Sequence, residues 1–149
     1  MHKLNLPEYS FKTRSLNGKE QIFDAVRKKY VALTPEEWVR QNFIQYLVLE
    51  KKYPASRMAL EYPLQYNTLS KRGDIVIFGK NGLPEILIEC KAPSVKTSQD
   101  TFDQAARYNF ILKLKYLVIT NGLEHFCCAI DHQKSTYIFL PDIPEHTGV

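Results

Sequence analysis

Asp74, Glu89 and Lys91 are of the types, and at the spacing, that could build a site for metal-assisted hydrolysis. Arg72-Gly73-Asp74 opens an apolar run that continues to Phe78, and the next run closes fifteen residues after Asp74 in Glu89-Cys90-Lys91. A turn at Asn81-Gly82 would fold the two runs antiparallel, setting the start of the first beside the end of the second. Alternation then gives Glu89 and Lys91 one face, while Ile88 and Cys90 point to the other. Asp74, Glu89 and the backbone carbonyl of Cys90 make an oxygen set suited to Mg²⁺, an ion that keeps several waters when bound. Such an ion polarises a phosphodiester and acidifies a bound water, and a neighbouring lysine stabilises charge or orients the nucleophile. Three charges beside an apolar sheet are costly unless they are paired or bind a cation. An ordinary Glu89–Lys91 or Asp74–Lys91 ion pair at a strand end meets that cost equally well, so the trio alone leaves both accounts open.

The elements that must position these residues are marked by turn signals and periodicity. Asn17-Gly18 is a type I′ turn signal and predicts an N-terminal β-hairpin over Phe11 to Asp24. Thr34-Pro35-Glu36-Glu37 predicts a helix start, with a threonine cap, proline at the first position and two acids in the first turn. That helix is expected to reach Lys52, with Val39, Phe43 and Leu47 as its apolar stripe and Tyr53-Pro54 as its stop. Strands are expected over Met58 to Tyr66, broken by Pro63, over Asp74 to Phe78, and over Glu85 to Lys91. A second helix is expected from Ser98 to Lys113, capped by Thr97 or Ser98, with Asp100 and Asp103 complementing its positive end. Tyr116 to Thr120, Glu124 to Ile130 and Thr136 to Leu140 complete the strands, and the tail with its two prolines is expected to be loose. The order predicts one α/β domain. It comprises a hairpin extension at 1–33, a core at 34–140 with a central mixed β-sheet flanked by helices, and a tail at 141–149.

The 149 residues, 44% hydrophobic and 12% aromatic, suffice for one ordinary globular core. A formal charge of +4, with basic clusters at Arg27-Lys28-Lys29, Lys51-Lys52 and Lys71-Arg72, leans towards a nucleic-acid partner without requiring one. No apolar run approaches the roughly 20 residues that cross a bilayer. The opening MHKLNLPEYS has no apolar signal core, so a cytoplasmic protein without a membrane partner is expected. Cys90, Cys127 and Cys128 form an odd set without a CxxC and are expected to be buried reduced thiols. His2, His125, His132 and His146 show no zinc spacing, and neither GxSxG nor GxGxxG occurs. Gly73 to Lys80 is not a P-loop, because five residues separate its glycines instead of four and Asn81 stands in place of Ser or Thr.

Asp74, the Glu89-x-Lys91 doublet at a strand end, and Gln104 with Tyr108 four residues on resemble the PD-(D/E)XK nuclease superfamily. More closely, the chain is similar to the nuclease-like N-terminal domain of type I restriction enzyme R (motor) subunits. Three stretches carry that similarity: Glu89-Cys90-Lys91-Ala92-Pro93, Thr101 to Ala105 with Tyr108-Asn109, and Leu33 to Gln41. The resemblance implies a restriction-endonuclease-like core and a DNA endonuclease that hydrolyses phosphodiester bonds with Mg²⁺, Mn²⁺ being able to substitute. It makes Asp74, Glu89 and the Cys90 carbonyl the metal ligands and Lys91 the catalytic lysine. Gln104 and Tyr108 match a Q-x-x-x-Y element that supports the core or contacts nucleic acid, and residues four apart share a helix face. Glu37 matches an acid of the first helix that assists metal binding in relatives; on its own it reads as a first-turn acid favouring the helix dipole, with Arg40 as partner. Arg72 is either a phosphate contact or simply exposed, and Gly73 stands where the superfamily motif has its proline.

The implied partners are DNA and the motor, specificity or methylation subunits of a restriction system, with the oligomeric state open. Motor subunits carry a helicase after this domain, so a stand-alone relative or a fragment is expected. An alternative from another class is a catalytically silent nucleic-acid-binding or assembly module that keeps the nuclease fold. A third is a structural ion-pair cluster with no nucleic-acid role.

Overall fold

The computed structural model describes residues 1–66 and 69–148, apart from the side chains at 65–66, 69–71 and 107–111. Asn17 and Gly18 both take positive φ, 53° and 76°, as a two-residue I′ turn requires, and join β1 (Thr13–Leu16) to β2 (Lys19–Asp24). The hairpin gains a third strand that its sequence did not mark, β3 (Lys29–Ala32), paired antiparallel with β2. Asp24 makes that strand possible. Its Oδ1 accepts the N–H groups of Val26 (2.8 Å) and Arg27 (2.9 Å), and so closes the connection between β2 and β3.

Thr34 caps α1 (Pro35–Leu49), its Oγ1 accepting the Glu37 N–H at 3.0 Å. The helix stops short of Lys52 because that residue turns the chain in the left-handed region, φ 68°, where Tyr53 N–H bonds back to the Leu47 carbonyl. Six strands follow in one sheet: β4 (Met58–Tyr66), β5 (Leu69–Phe78), β6 (Pro84–Cys90), β7 (Tyr116–Thr120), β8 (His125–Asp131) and β9 (Thr136–Leu140), in that order across it. β6 and β7 are parallel, joined over α2 (Gln99–Leu112), and the other neighbours are antiparallel. This is the mixed sheet flanked by helices that the sequence predicts.

The continuous apolar runs of β5 to β7 reflect burial on both faces. Val39, Phe43 and Leu47 of α1 pack on Ile75, Ile77, Ile86, Ile88 and Val118, whereas Phe102, Ala105 and Ala106 of α2 pack on Val76, Leu87, Leu117 and Ile119. Each fully buried aliphatic side chain contributes about 1.5–3 kcal/mol. Adjacent Cys127 and Cys128 fall on opposite faces and are free thiols, like Cys90. Burial pushes both up to about 12, which leaves them protonated and inert.

Three expectations need correcting. Asp74 does not open its strand, since β5 begins at Leu69 and its first half pairs with β4. Nor does Pro63 break β4, because β4 is an edge strand, where a missing N–H costs little. Of the two caps expected for α2, Ser98 is the one used, its Oγ accepting the Thr101 N–H, and Asp103 is engaged by Gln99 and Tyr137. Finally, the tail is docked. Ile143 is buried, the Tyr53 hydroxyl donates to the Pro144 carbonyl at 2.6 Å, and His146 N–H donates to the Lys51 carbonyl at 2.8 Å.

Candidate active site

The β5–β6 ladder ends at Ile75 opposite Ile88. The next positions in that register belong to Asp74 and Glu89, which therefore stand at opposing places where the two strands part. Cys90 N–H finds a side chain there, donating to Asp74 Oδ2 at 2.7 Å. On a strand the N–H and C=O of one residue point the same way, so the Cys90 carbonyl is also directed towards Asp74. Lys91 N–H points oppositely and donates to the Thr120 carbonyl at 2.8 Å, so pairing with β7 continues to the end of β6. Glu89 is 5% exposed, and the Asp74 side chain is 19% exposed. Arg40 approaches Asp74, its Nη1 lying 3.9 Å from Oδ1.

Both carboxylate oxygens of Glu37 are held by nitrogen donors. Its Oε1 accepts from Arg27 Nη2 (2.9 Å) and Arg40 Nη2 (2.5 Å), and its Oε2 from Arg40 Nε (2.9 Å) and Gln41 Nε2 (3.0 Å). Burial alone would raise its pKa, but the donors from Arg40, Gln41 and Arg27 outweigh that and hold it below 4.5. Arg27 continues the chain of charges to the fully buried Asp24, and Glu61, at a φ of 52° on β4, approaches Arg27, Arg40 and Arg72. One buried network thus runs from the N-terminal sheet through α1 to Asp74. Arg40, at i+3 from Glu37, was visible in the sequence; Asp24, Arg27 and Glu61 gave no signal, because only the fold brings them near.

Glu36 is the first-turn acid that senses the strand ends. Its pKa is raised, first by burial and then by the charge of Asp74, against the opposing charges of Lys91 and Arg40. With Glu37, Arg40, Glu61 and Ala92 it lines an open cleft of about 530 Å³ beside the site. Arg72 is 74% exposed at its side chain and only loosely paired with Glu61, at 3.6 Å. Gln104 is exposed on α2, and among the described residues no hydrogen bond or ion pair ties it to Asp74, Glu89 or Lys91. The Tyr108 side chain lies outside the described residues.

Asp74, Glu89 and the Cys90 carbonyl are hard oxygen donors of the kind that suits Mg²⁺, which takes one or two carboxylates and keeps its waters. They do not resemble a zinc site, and among the described residues no cluster of three or more His, Cys, Asp or Glu side chains could hold a metal ion.

Packing explains the glycine in the motif. A Cβ at position 73 would lie 2.7 Å from both Leu87 Cδ1 and Val76 Cγ2, in side chains that are fully buried. Gly73→Ala is therefore expected to destabilise the fold by about 1–3 kcal/mol through overpacking. Urea unfolding checks this, and an unchanged midpoint would show that the neighbours yield without cost.

The profile of the family described as type I restriction enzyme R protein N terminus (HSDR_N) matches residues 35–144. A fragment assigned as an HsdR subunit of a type I restriction enzyme from Vibrio vulnificus shares the fold, with a TM-score of 0.51 at 20% identity over 75% of this chain. The chain spans only 24% of that protein's length. Comparison with curated protein sequences gives no match. The matched span takes in α1, α2 and all six strands of the main sheet, and with them Glu37, Asp74, Glu89 and Lys91. The chain belongs to the family of type I restriction enzyme R protein N-terminal domains.

Proposed function

We propose that this domain is a Mg²⁺-dependent DNA endonuclease of the PD-(D/E)XK kind, working within a type I restriction system. The observation that supports the reading is the parting of β5 and β6 beyond Ile75 and Ile88, next to Asp74 and Glu89, with the Cys90 N–H bonded to Asp74 and Lys91 two residues beyond Glu89. When bound there, Mg²⁺ would polarise the scissile phosphate and acidify a water. Asp74 and Glu89 would hold the ion, Asp74 being oriented by the Cys90 N–H. Lys91, anchored through its backbone to Thr120, would stabilise the charge that develops as the phosphodiester opens, or orient the attacking water. Arg72 would meet a backbone phosphate, a contact that positions DNA without reading its sequence.

The test is incubation of the chain with circular and linear duplex DNA in Mg²⁺ or Mn²⁺. Cleavage that needs the ion and stops with chelator is expected. Folded protein that leaves DNA and RNA intact under all these conditions would overturn the reading. A second reading is a silent nucleic-acid-binding or assembly module that keeps the fold. Salt-dependent DNA binding without cleavage, unaltered by Asp74→Ala, would establish it.

A further inference from the structure

We infer that Glu37 serves the site as a positioning residue, holding the Arg40 guanidinium off Asp74 so that a divalent ion can take that carboxylate. The inference rests on the proposed metal site, yet assigns Glu37 a role different from that of a ligand. Both Glu37 oxygens already accept two hydrogen bonds each, from Arg27, Arg40 and Gln41. A carboxylate so occupied has little left for a cation. Arg40 is shared unequally, since it donates twice to Glu37 while its Nη1 stays 3.9 Å from Asp74 Oδ1, beyond hydrogen-bonding reach. Glu37 also offsets Arg40's charge within that contact.

Arg40 is 5% exposed, so a guanidinium that lost Glu37 would have few other places to turn than the carboxylates of Asp74 and Glu61. It would then compete with the metal for Asp74. Arg27 extends the device outward. Paired with both Asp24 and Glu37, it makes the N-terminal three-stranded sheet part of the mounting that keeps Arg40 in place.

Calorimetric titration of the full chain with Mn²⁺, without DNA, tests this through a readout that fold stability alone would not move. Glu37→Gln is expected to weaken Mn²⁺ about ten-fold or more, because an uncompensated guanidinium sits beside Asp74. Adding Arg40→Met to Glu37→Gln removes the competitor and should return affinity to near that of the wild type. Unchanged affinity in Glu37→Gln overturns the inference. So does a double variant that stays weak, which would make Glu37 a ligand after all. If Glu37→Gln does not fold, the double variant, with its buried pair replaced by neutral groups, decides alone. Affinity near wild type supports the inference and lost affinity overturns it. Wild-type protein that binds no Mn²⁺ would remove the metal site itself, and the inference with it, whereas wild-type binding with insensitive variants sinks only the role given to Glu37.

Discussion

Alanine at Lys91 is expected to lower divalent-dependent DNA cleavage by roughly 100- to 1,000-fold while leaving the unfolding midpoint and Mn²⁺ affinity nearly unchanged. The structural part of Lys91 is its backbone, whose N–H bonds to Thr120, and alanine keeps that bond. What is lost is stabilisation of charge that exists only as the phosphodiester reacts, which slows catalysis without loosening the ion. The ion-pair account makes the opposite prediction: a marked loss of stability, with no cleavage to lose. Parallel cleavage kinetics, urea unfolding and Mn²⁺ calorimetry separate the two. Wild-type rates in the variant would remove Lys91 from the chemistry. Asp74→Asn is a better companion than Asp74→Ala, because it keeps an acceptor for the Cys90 N–H. Losing that acceptor would leave a largely buried donor unsatisfied, at about 1–3 kcal/mol.

The main sheet and both helices were legible because their signals are local. Thr34-Pro35 marks a helix start, Asn17-Gly18 marks a turn, and runs such as Ile86 to Ile88 mark strands buried on both faces. Asp74 and Glu89 were legible for the same reason, since a short connection fixes the register of two strands. The length of β5 was not, because its first half is held by pairing with an edge strand and not by an apolar pattern. The third strand of the N-terminal sheet depends on the side chain of Asp24 closing a turn, a contact that composition does not announce. Glu37 shows the same limit at the site. A motif places an acid at the start of α1, but which of two neighbouring acids faces the strand ends depends on helix rotation. Here Glu37 turns into the arginines and Glu36 feels Asp74 and Lys91.

Arg40→Met is expected to cost the fold about 3–5 kcal/mol. The side chain is 6% exposed, and it supplies two of the four donors to a Glu37 carboxylate that is 7% exposed. Removing one partner of a buried pair leaves the other charge desolvated, and Arg27 and Gln41 make good only part of the loss. Replacing both, in Glu37→Gln with Arg40→Met, removes the charges together and should recover most of that stability. Urea unfolding at pH 7 without divalent ions measures both, and a single variant within 1 kcal/mol of the wild type would show the pair to be effectively solvated. Acid supplies a second check. Glu37 titrates below 4.5 in the folded chain, so its contribution is complete above 4.5 and is lost as the pH falls through the lower folded value. The wild type should therefore weaken over that acid range more steeply than the double variant, which has no carboxylate at position 37. A neutral pair that folds as well as the charged one would mean that net stability is not what the buried charges supply.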